Sequence, residues 1–425
     1  MRSKPGRSAA TPSVAINKKR IGKRICFYHA SIMVGLPQIS PARRTAFDVL
    51  VNVEEGANST DLLFERTKEL SGRDAGLATE LVLGSLRRRA QLDFLAVHFS
   101  GRDSAAFDTE VRLALHLGIY QMRYLERIPA HAAISESVEL VRRAGKRSAT
   151  GFVNAILRNV TKDDLSWPDR SVELCMPEWL LQGWETAYGA DVAAAVARAS
   201  LETPETFLRV PVGMDPPQGA VATALPGCWM WPKGPAPEGF RVQDMGSQSI
   251  VPKLALEAGL RFLDLCAAPG GKTLQAMETP IRAIASDRLP ARARDVAALG
   301  VPTLVLDGTR SLPFPAQTFD RILVDAPCSG TGTLGRNPEI RWRIQPDDLD
   351  NLHQRQVKLL RNALTCAKLG GRVVYSTCSL ERTENEEVVR EAVAGASGWQ
   401  CESTAQRLPG RDPGDGFFAA VITSA

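Results

Sequence analysis

The stretch RFLDLCAAPGGKTLQAM, from Arg261 to Met277, decides how this chain is read. Phe262, Leu263 and Leu265 make a short apolar run, the length of a strand buried on both faces of a parallel sheet. Ala267-Ala268-Pro269-Gly270-Gly271 ends that run. Lys272 and Thr273 then open a helical pattern carrying Leu274 and Met277. Strand, glycine turn and helix together bring backbone N–H groups close to a ligand. Three more strand-like runs follow, each ending in an aspartate: AIASD at Asp287, TLVLD at Asp307 and RILVD at Asp325. RVVYSTC then ends at Cys378. Ligands of open parallel sheets sit at the carboxyl ends of the strands, so five strand ends point to one crevice.

Working outward, residues 241–425 read as an α/β doubly wound, Rossmann-like domain. Before it, residues 166–240 read as a small α/β subdomain. MPEWLLQGWETAYG is helical there, ETFLRVPVG is strand-like, and Pro211 to Pro237 is rich in Pro and Gly. TKDDLSWPDR, Thr161 to Arg170, breaks periodicity and reads as a linker. Residues 39–165 read as an all-α domain: Ala46, Val49, Leu50 and Val53 recur at helix spacing, and Gly56 is a stop. No internal repeat is evident.

A chain of 425 residues has room for two or three domains. No apolar run is long enough to span a membrane. Eight cysteines without a CxxC or a Cys/His cluster argue against a disulfide framework or a metal site, and for a reducing cytoplasm. The net charge of +5 is owed to Arg2, Lys4, Arg7, Lys18, Lys19, Arg20, Lys23 and Arg24, a tail without acids up to residue 24. Residues 1–38 read as a disordered basic tail. A true start at Met33 is the first explanation of it; a targeting segment and an RNA-binding arm are the others.

Two glycine motifs mislead. APGGKT lacks the first glycine of a phosphate-binding P-loop, since Cys266 stands there. GTGTLG, with Gly330, Gly332 and Gly335, has dinucleotide spacing but is followed by RNPEIRWR rather than an amphipathic helix. The aspartates say more. Asp287, about 20 residues beyond the glycine turn, suits the two hydroxyls of a ribose, and Asp307 an adenine edge. Either alone reads more often as a helix cap.

DAPCSGTG and STCSLERTENEEVV place Cys328 and Cys378 after neighbouring strands. The pair reads as buried inert thiols, as a disulfide, or as two groups sharing one substrate. Thiolate chemistry fits a specific problem. C5 of a pyrimidine is a poor carbon nucleophile, and a thiolate added at C6 makes it enamine-like. A second group must then remove the C5 proton so that the thiol can leave.

VQDMGSQS, DLCAAPGGKT, DAPCSGTGTLGRNPEIRW, YSTCSLERTENE and DGFFAA resemble the RNA cytosine-C5 methyltransferases of the Nol/Nop/Sun family. GSLRRRAQLDFLA, LGIYQMRYLERIPAHAAISESVEL and GFVNAILRNV, which include His131, resemble the NusB-type helical RNA-binding domain. Together they are similar to the bacterial Sun/RsmB branch, which modifies 16S ribosomal RNA. The resemblance implies a class I S-adenosylmethionine-dependent fold with Cys266, Ala267, Ala268, Pro269, Gly270, Gly271 and Lys272 as the cofactor loop. It implies Asp287 at the ribose, Asp307 near adenine, and Asp325 beside the methyl donor and the cytosine. It also implies Cys378 as nucleophile, Cys328 as the residue assisting product release, and an RNA-contacting role for the small subdomain. No metal is implied.

The partner expected is 16S rRNA, free or early in assembly, because a flipped cytosine costs less outside a duplex. A monomer without membrane contact is expected. A tRNA cytosine-C5 methyltransferase and a non-catalytic rRNA-binding assembly factor are the rival readings. Arg87-Arg88-Arg89, the cluster Arg142, Arg143, Lys146 and Arg147, and Arg336, Arg341, Trp342, Arg343 and Arg355 read either as RNA contacts or as solvated helix faces.

Overall fold

The structure, a computed structural model, describes residues 39–103, 107–211, 213–232 and 234–424. The basic tail, including Met33, lies outside them. The helical front comprises α1 (Pro41–Glu54), α2 (Ser59–Thr67), α3 (Gly72–Arg87), α4 (Arg89–Ser100), α5 (Thr109–Tyr124), α6 (Ala130–Arg143) and α7 (Thr150–Asn159). In α1 the buried residues Ala42, Ala46, Phe47, Val49, Leu50 and Val53 fall on one stripe at helix spacing. α5 has buried side chains all round, from Val111 to Gln121, as expected of a helix enclosed by its neighbours. Asn58 and Ser71 cap α2 and α3 by accepting from the N–H of Asp61 and Asp74.

Helices α8 (Arg170–Glu173), α9 (Glu178–Tyr188) and α10 (Ala190–Ala199) lead to a small antiparallel sheet. Its strands are β1 (Thr206–Arg209), β2 (Val221–Ala222), β3 (Cys228–Trp231) and β4 (Arg241–Val242), in the order β2-β3-β1-β4. After α11 (Met245–Gln248) comes the large sheet. Its strands are β5 (Arg261–Asp264), β6 (Arg282–Asp287), β7 (Thr303–Val305), β8 (Phe319–Asp325), β9 (Ala367–Thr377), β10 (Trp399–Arg407) and β11 (Phe417–Ser424). They lie in the order β10-β11-β9-β8-β5-β6-β7. β9-β8-β5-β6-β7 are parallel, and β11 and β10 add an antiparallel edge. The expected doubly wound sheet is present. Its order reverses between β5 and β8, which is where such sheets open a ligand crevice.

The helices that follow the strands are α12 (Gly271–Ala276), α13 (Pro290–Ala297), α14 (Ile340–Arg343), α15 (Pro346–Cys366) and α16 (Glu386–Ala394). Strand residues alternate between two cores. Leu263, Ile322, Val324, Val373 and Tyr375 pack with Leu360, Ala363 and Val388 of α15 and α16. Phe262, Leu323, Val374, Ala419 and Val421 pack with Ile250, Val251 and Leu254 on the other face.

The helical front is fastened to the chain just beyond Cys328. Ser59 donates from N and Oγ to the buried Glu339 carboxylate, each at 2.8 Å. Arg87 Nε donates to Gly335 O at 2.8 Å. Arg343 reaches Val53 O and Ala57 O at 2.6 and 2.7 Å.

Candidate functional site

The loop after β5 is built by close backbone approach. Gly270 has φ 100°, and a Cβ there would lie 2.5 Å from Leu299 Cδ1, so only glycine fits. Ala267 N donates to Ser286 O at 2.9 Å, which pins the loop from Cys266 to Lys272 against β6. Under it lies Asp264, which sequence reading passed over. Its Oδ2 accepts from Thr273 Oγ1 at 2.7 Å, while its buried Oδ1 has no partner. Burial pushes this carboxyl up to about 7. Burial, then Asp264, Asp325 and Asp287, hold the Cys266 thiol well above its ordinary value, so Cys266 stays neutral.

Asp287 ends β6, is 9% exposed, and accepts from Leu289 N through Oδ1 at 2.9 Å. Asp307 lies two residues past β7 and accepts through Oδ1 from Thr309 N and Oγ1 at 3.0 and 2.7 Å. Both carboxylates close turns through one oxygen. The other oxygen of Asp287 has no hydrogen-bond partner among the described residues, and that of Asp307 has only Arg310, at 3.8 Å. The free acceptors of Asp287, Asp307 and Asp264 suit the amino and hydroxyl donors of S-adenosylmethionine. The residues present therefore fit that cofactor.

Asp325 ends β8. Its Oδ2 accepts from Lys272 Nζ at 2.7 Å and its Oδ1 from Ser376 Oγ at 2.8 Å. Burial works against the Lys272 charge, but Asp325 more than offsets it and the ammonium is raised. Lys272 Nζ also sits 4.9 Å from the Phe417 ring centroid. Next to this pair the sulfurs of Cys328 and Cys378 are 3.3 Å apart. A disulfide needs about 2.05 Å, so these are two free thiols sharing a hydrogen bond. Both are partly accessible. The hydrogen bond to Cys378, then burial, hold the Cys328 thiol well above its ordinary range.

Several residues that sequence offered as RNA contacts are internal struts instead. Arg341 is fully buried, giving Nη1 to Cys175 O and Nη2 to Ser200 O and Leu334 O at 3.0–3.1 Å. Arg336 joins Asp415 and Asp244 at 2.7 and 3.0 Å. Trp342 Nε1 donates to Leu86 O at 3.4 Å. Arg87 is buried, and Arg88 and Arg89 pair with Glu202 and Glu54. Arg142, Arg143 and Lys146 pair with Glu139, Asp48 and Asp108. Arg355 on α15 and Arg147 remain exposed, as does His131 at the start of α6, and the Arg355 charge bears on Cys266. Within GTGTLG, Gly332 serves contact between backbones: Gly332 N donates to Cys378 O and Gly332 O accepts from Gly416 N, each at 2.8 Å. Among the described residues no helix is long and apolar enough to cross a membrane, and no group of three or more His, Cys, Asp or Glu could hold a metal.

Comparison with known proteins bears on this site. Residues 251–423 match the family model described as 16S rRNA methyltransferase RsmB/F, and residues 40–162 match the NusB family. The probable ribosomal RNA small subunit methyltransferase B of Bacillus subtilis (strain 168) is 31% identical over 413 residues, covering 86% of this chain and 91% of that protein. The ribosomal RNA small subunit methyltransferase B of Escherichia coli O1:K1 / APEC is 32% identical over 418 residues, covering 87% and 95%. Among solved structures, PH0851 superposes with a TM-score of 0.76 at 20% identity, over 92% of this chain and 100% of that one. NSun6 from Pyrococcus horikoshii with SFG gives 0.51 at 17% identity, over 58% and 98%. Both structural likenesses concern the fold.

Proposed function

This chain belongs to the 16S rRNA methyltransferase RsmB/F family, with a NusB family segment in front, and from that premise we propose that it methylates C5 of one cytosine in 16S ribosomal RNA, with Cys378 as nucleophile and Cys328 as the group that releases the product. The observation that carries this reading is the 3.3 Å sulfur pair beside the Lys272–Asp325 ion pair, at the switch point of the sheet. One pyrimidine exposes C6 and C5 as adjacent atoms, and two sulfurs at this separation can address both.

The Cys378 sulfur adds to C6, and the displaced electron pair makes C5 nucleophilic. Bound S-adenosylmethionine supplies an electrophilic methyl group. Cys328 then takes the C5 proton as a thiolate, the C5–C6 double bond re-forms, and the Cys378 sulfur leaves. Once Cys378 is bonded to carbon its charge no longer opposes ionisation of Cys328, whose own proton passes to solvent water before the thiolate takes the C5 proton. Asp325, fixed by Lys272 and Ser376, faces the exocyclic amine and N3 edge of the base. Asp287 and Asp307 hold the cofactor's ribose and adenine, with Cys266 to Lys272 as its loop. Residues 39–165 and 166–240 act as the RNA-holding parts ahead of the catalytic residues 241–425. Thiols of this kind need a reducing compartment, the cytoplasm.

The test uses the Cys328→Ala variant, incubated with 16S RNA and cofactor and run on a denaturing gel. A persistent protein–RNA adduct is expected, and it should vanish when Cys378 is also replaced. An adduct that survives loss of Cys378 refutes the assignment. Bisulfite sequencing of RNA from a deletion strain should lose protection at one 16S cytosine; loss confined to tRNA refutes the substrate.

A further inference from the structure

Both sulfurs sit on short turns, Cys328 after β8 and Cys378 after β9, and the turns meet through Ser329 Oγ and Ser379 Oγ at 3.0 Å and through Leu380 N, which donates to Thr331 Oγ1 at 2.9 Å. The residue that gathers these contacts comes later. Glu384 is 0% exposed, two positions before the first residue of α16. Its Oε1 accepts from Ser329 N and from Gln356 Nε2, each at 2.9 Å. Its Oε2 accepts from Ser379 Oγ at 2.5 Å and from Ser329 Oγ. Ser329 follows Cys328 and Ser379 follows Cys378. Gln356 spends its second amide hydrogen on Pro327 O, at 2.9 Å, the residue before Cys328. One buried carboxylate therefore grips both cysteine turns, and a helix behind them, through four donors.

No cation neutralises this carboxylate: among the described residues Glu384 is in no ion pair. A buried charge held by neutral donors alone is costly unless every donor is well placed. A glutamine of the same shape would fill the space without that cost. Retaining charge here has a consequence for its nearest ionisable neighbour, since the field of Glu384 adds to burial and to Cys378 in holding the proton on Cys328.

We propose that Glu384 is a positioning residue for this reaction, one that ties the Cys328 turn to the Cys378 turn and so holds the two sulfurs in place for one substrate. The proposal rests on the reading that these two cysteines carry the chemistry. A more basic Cys328 is the better acceptor for the C5 proton. The other titratable groups facing the pair are Tyr375 on β9, whose hydroxyl donates to Glu384 O at 2.6 Å, Glu381 in the following turn, Cys266 and Lys272 from the glycine loop, and Asp325 from β8. Glu384→Gln leaves the identity of each of these groups unchanged.

The test is Glu384→Gln in the full chain. Its amide keeps one acceptor for Ser329 N and Gln356, and the serine hydroxyls can turn to accept from the new NH2 group. Alkylation of Cys328 by iodoacetamide is followed against pH by peptide mass spectrometry, in a Cys378→Ser background and without RNA. The midpoint should fall by about one pH unit when the charge is removed. With Cys378 intact, Glu384→Gln should lower kcat by about 10²-fold, the scale of a general base, with the dissociation constant for S-adenosylmethionine unchanged. An unmoved alkylation midpoint, or an unchanged kcat, overturns the proposal. If Glu384→Gln does not fold, Ser329→Ala with Ser379→Ala removes both hydroxyl clamps and leaves the charge. That pair should lower kcat by a similar factor with the midpoint unmoved, and wild-type kcat overturns the proposal. The alkylation profile needs no RNA, so it reports on Glu384 even if the nucleophile were assigned wrongly, an error that the adduct gel detects separately.

Discussion

Arg341→Met separates an internal strut from an RNA ligand, and its cost follows from the geometry. The guanidinium donates to three carbonyls, those of Cys175, Ser200 and Leu334, in a site with no exposure. Methionine fills most of the volume but donates nothing. Each buried carbonyl left without its donor costs about 1–3 kcal/mol, hence about 6 kcal/mol for the set. Part of this is offset. Burial lowers the guanidinium to about 10, so its charge already costs folding about 3 kcal/mol, which the substitution returns. The expected net loss is about 3 kcal/mol, read as a lower urea midpoint by circular dichroism at constant slope. The comparator is Arg355→Met, on the exposed face of α15. It should unfold with the wild-type protein while binding 16S RNA more weakly, and the slope of log affinity against log salt should shrink by about 0.7 for the lost phosphate contact. If Arg341→Met unfolds like wild type but loses the salt-dependent RNA contact, the strut assignment is wrong and the arginine belongs to the RNA surface.

Two further outcomes are expected. Burial raises the Asp264 carboxyl to about 7, so the stability it contributes is complete below about pH 4 and is lost as pH rises through about 7, up to about 4 kcal/mol. Asp264→Asn mimics the protonated form, and its melting temperature should therefore fall less than wild type between pH 5 and 8; parallel curves would exclude the shift. Glu381 and Asp415 are raised to about 7 as well, but they titrate equally in both proteins and cancel in the difference. At Gly332 a Cβ would lie 2.3 Å from Gly416 O and 2.8 Å from Cys378 O. Gly332→Ala should thus cost about 1–3 kcal/mol of stability and lower methylation by displacing the Cys378 turn, whereas a wild-type melt with wild-type rate would show that the backbones can part.

Much of the molecule follows from local pattern. Period-two and period-3.6 hydrophobicity are properties of neighbouring residues, so the helical front and the alternating strands after Arg261 were readable from the chain. The strand-end rule then brought Asp287, Asp307, Asp325 and Cys378 to one rim, because parallel strands share a direction. Cys328 joined Cys378 by the same logic, since β8 and β9 lie side by side. Charge is different. An arginine in a string says nothing of whether carbonyls or water will surround it, and the partners of Arg341 lie 7 to 166 residues away. Only the folded chain decided that Arg341 and Arg336 are tied up inside while Arg355 stays exposed. The same holds for Glu384, one of several acids in ERTENEE, which became the clamp on both cysteine turns because β8, β9 and α15 converge around it. Periodicity is written in sequence; enclosure is made by elements distant in it.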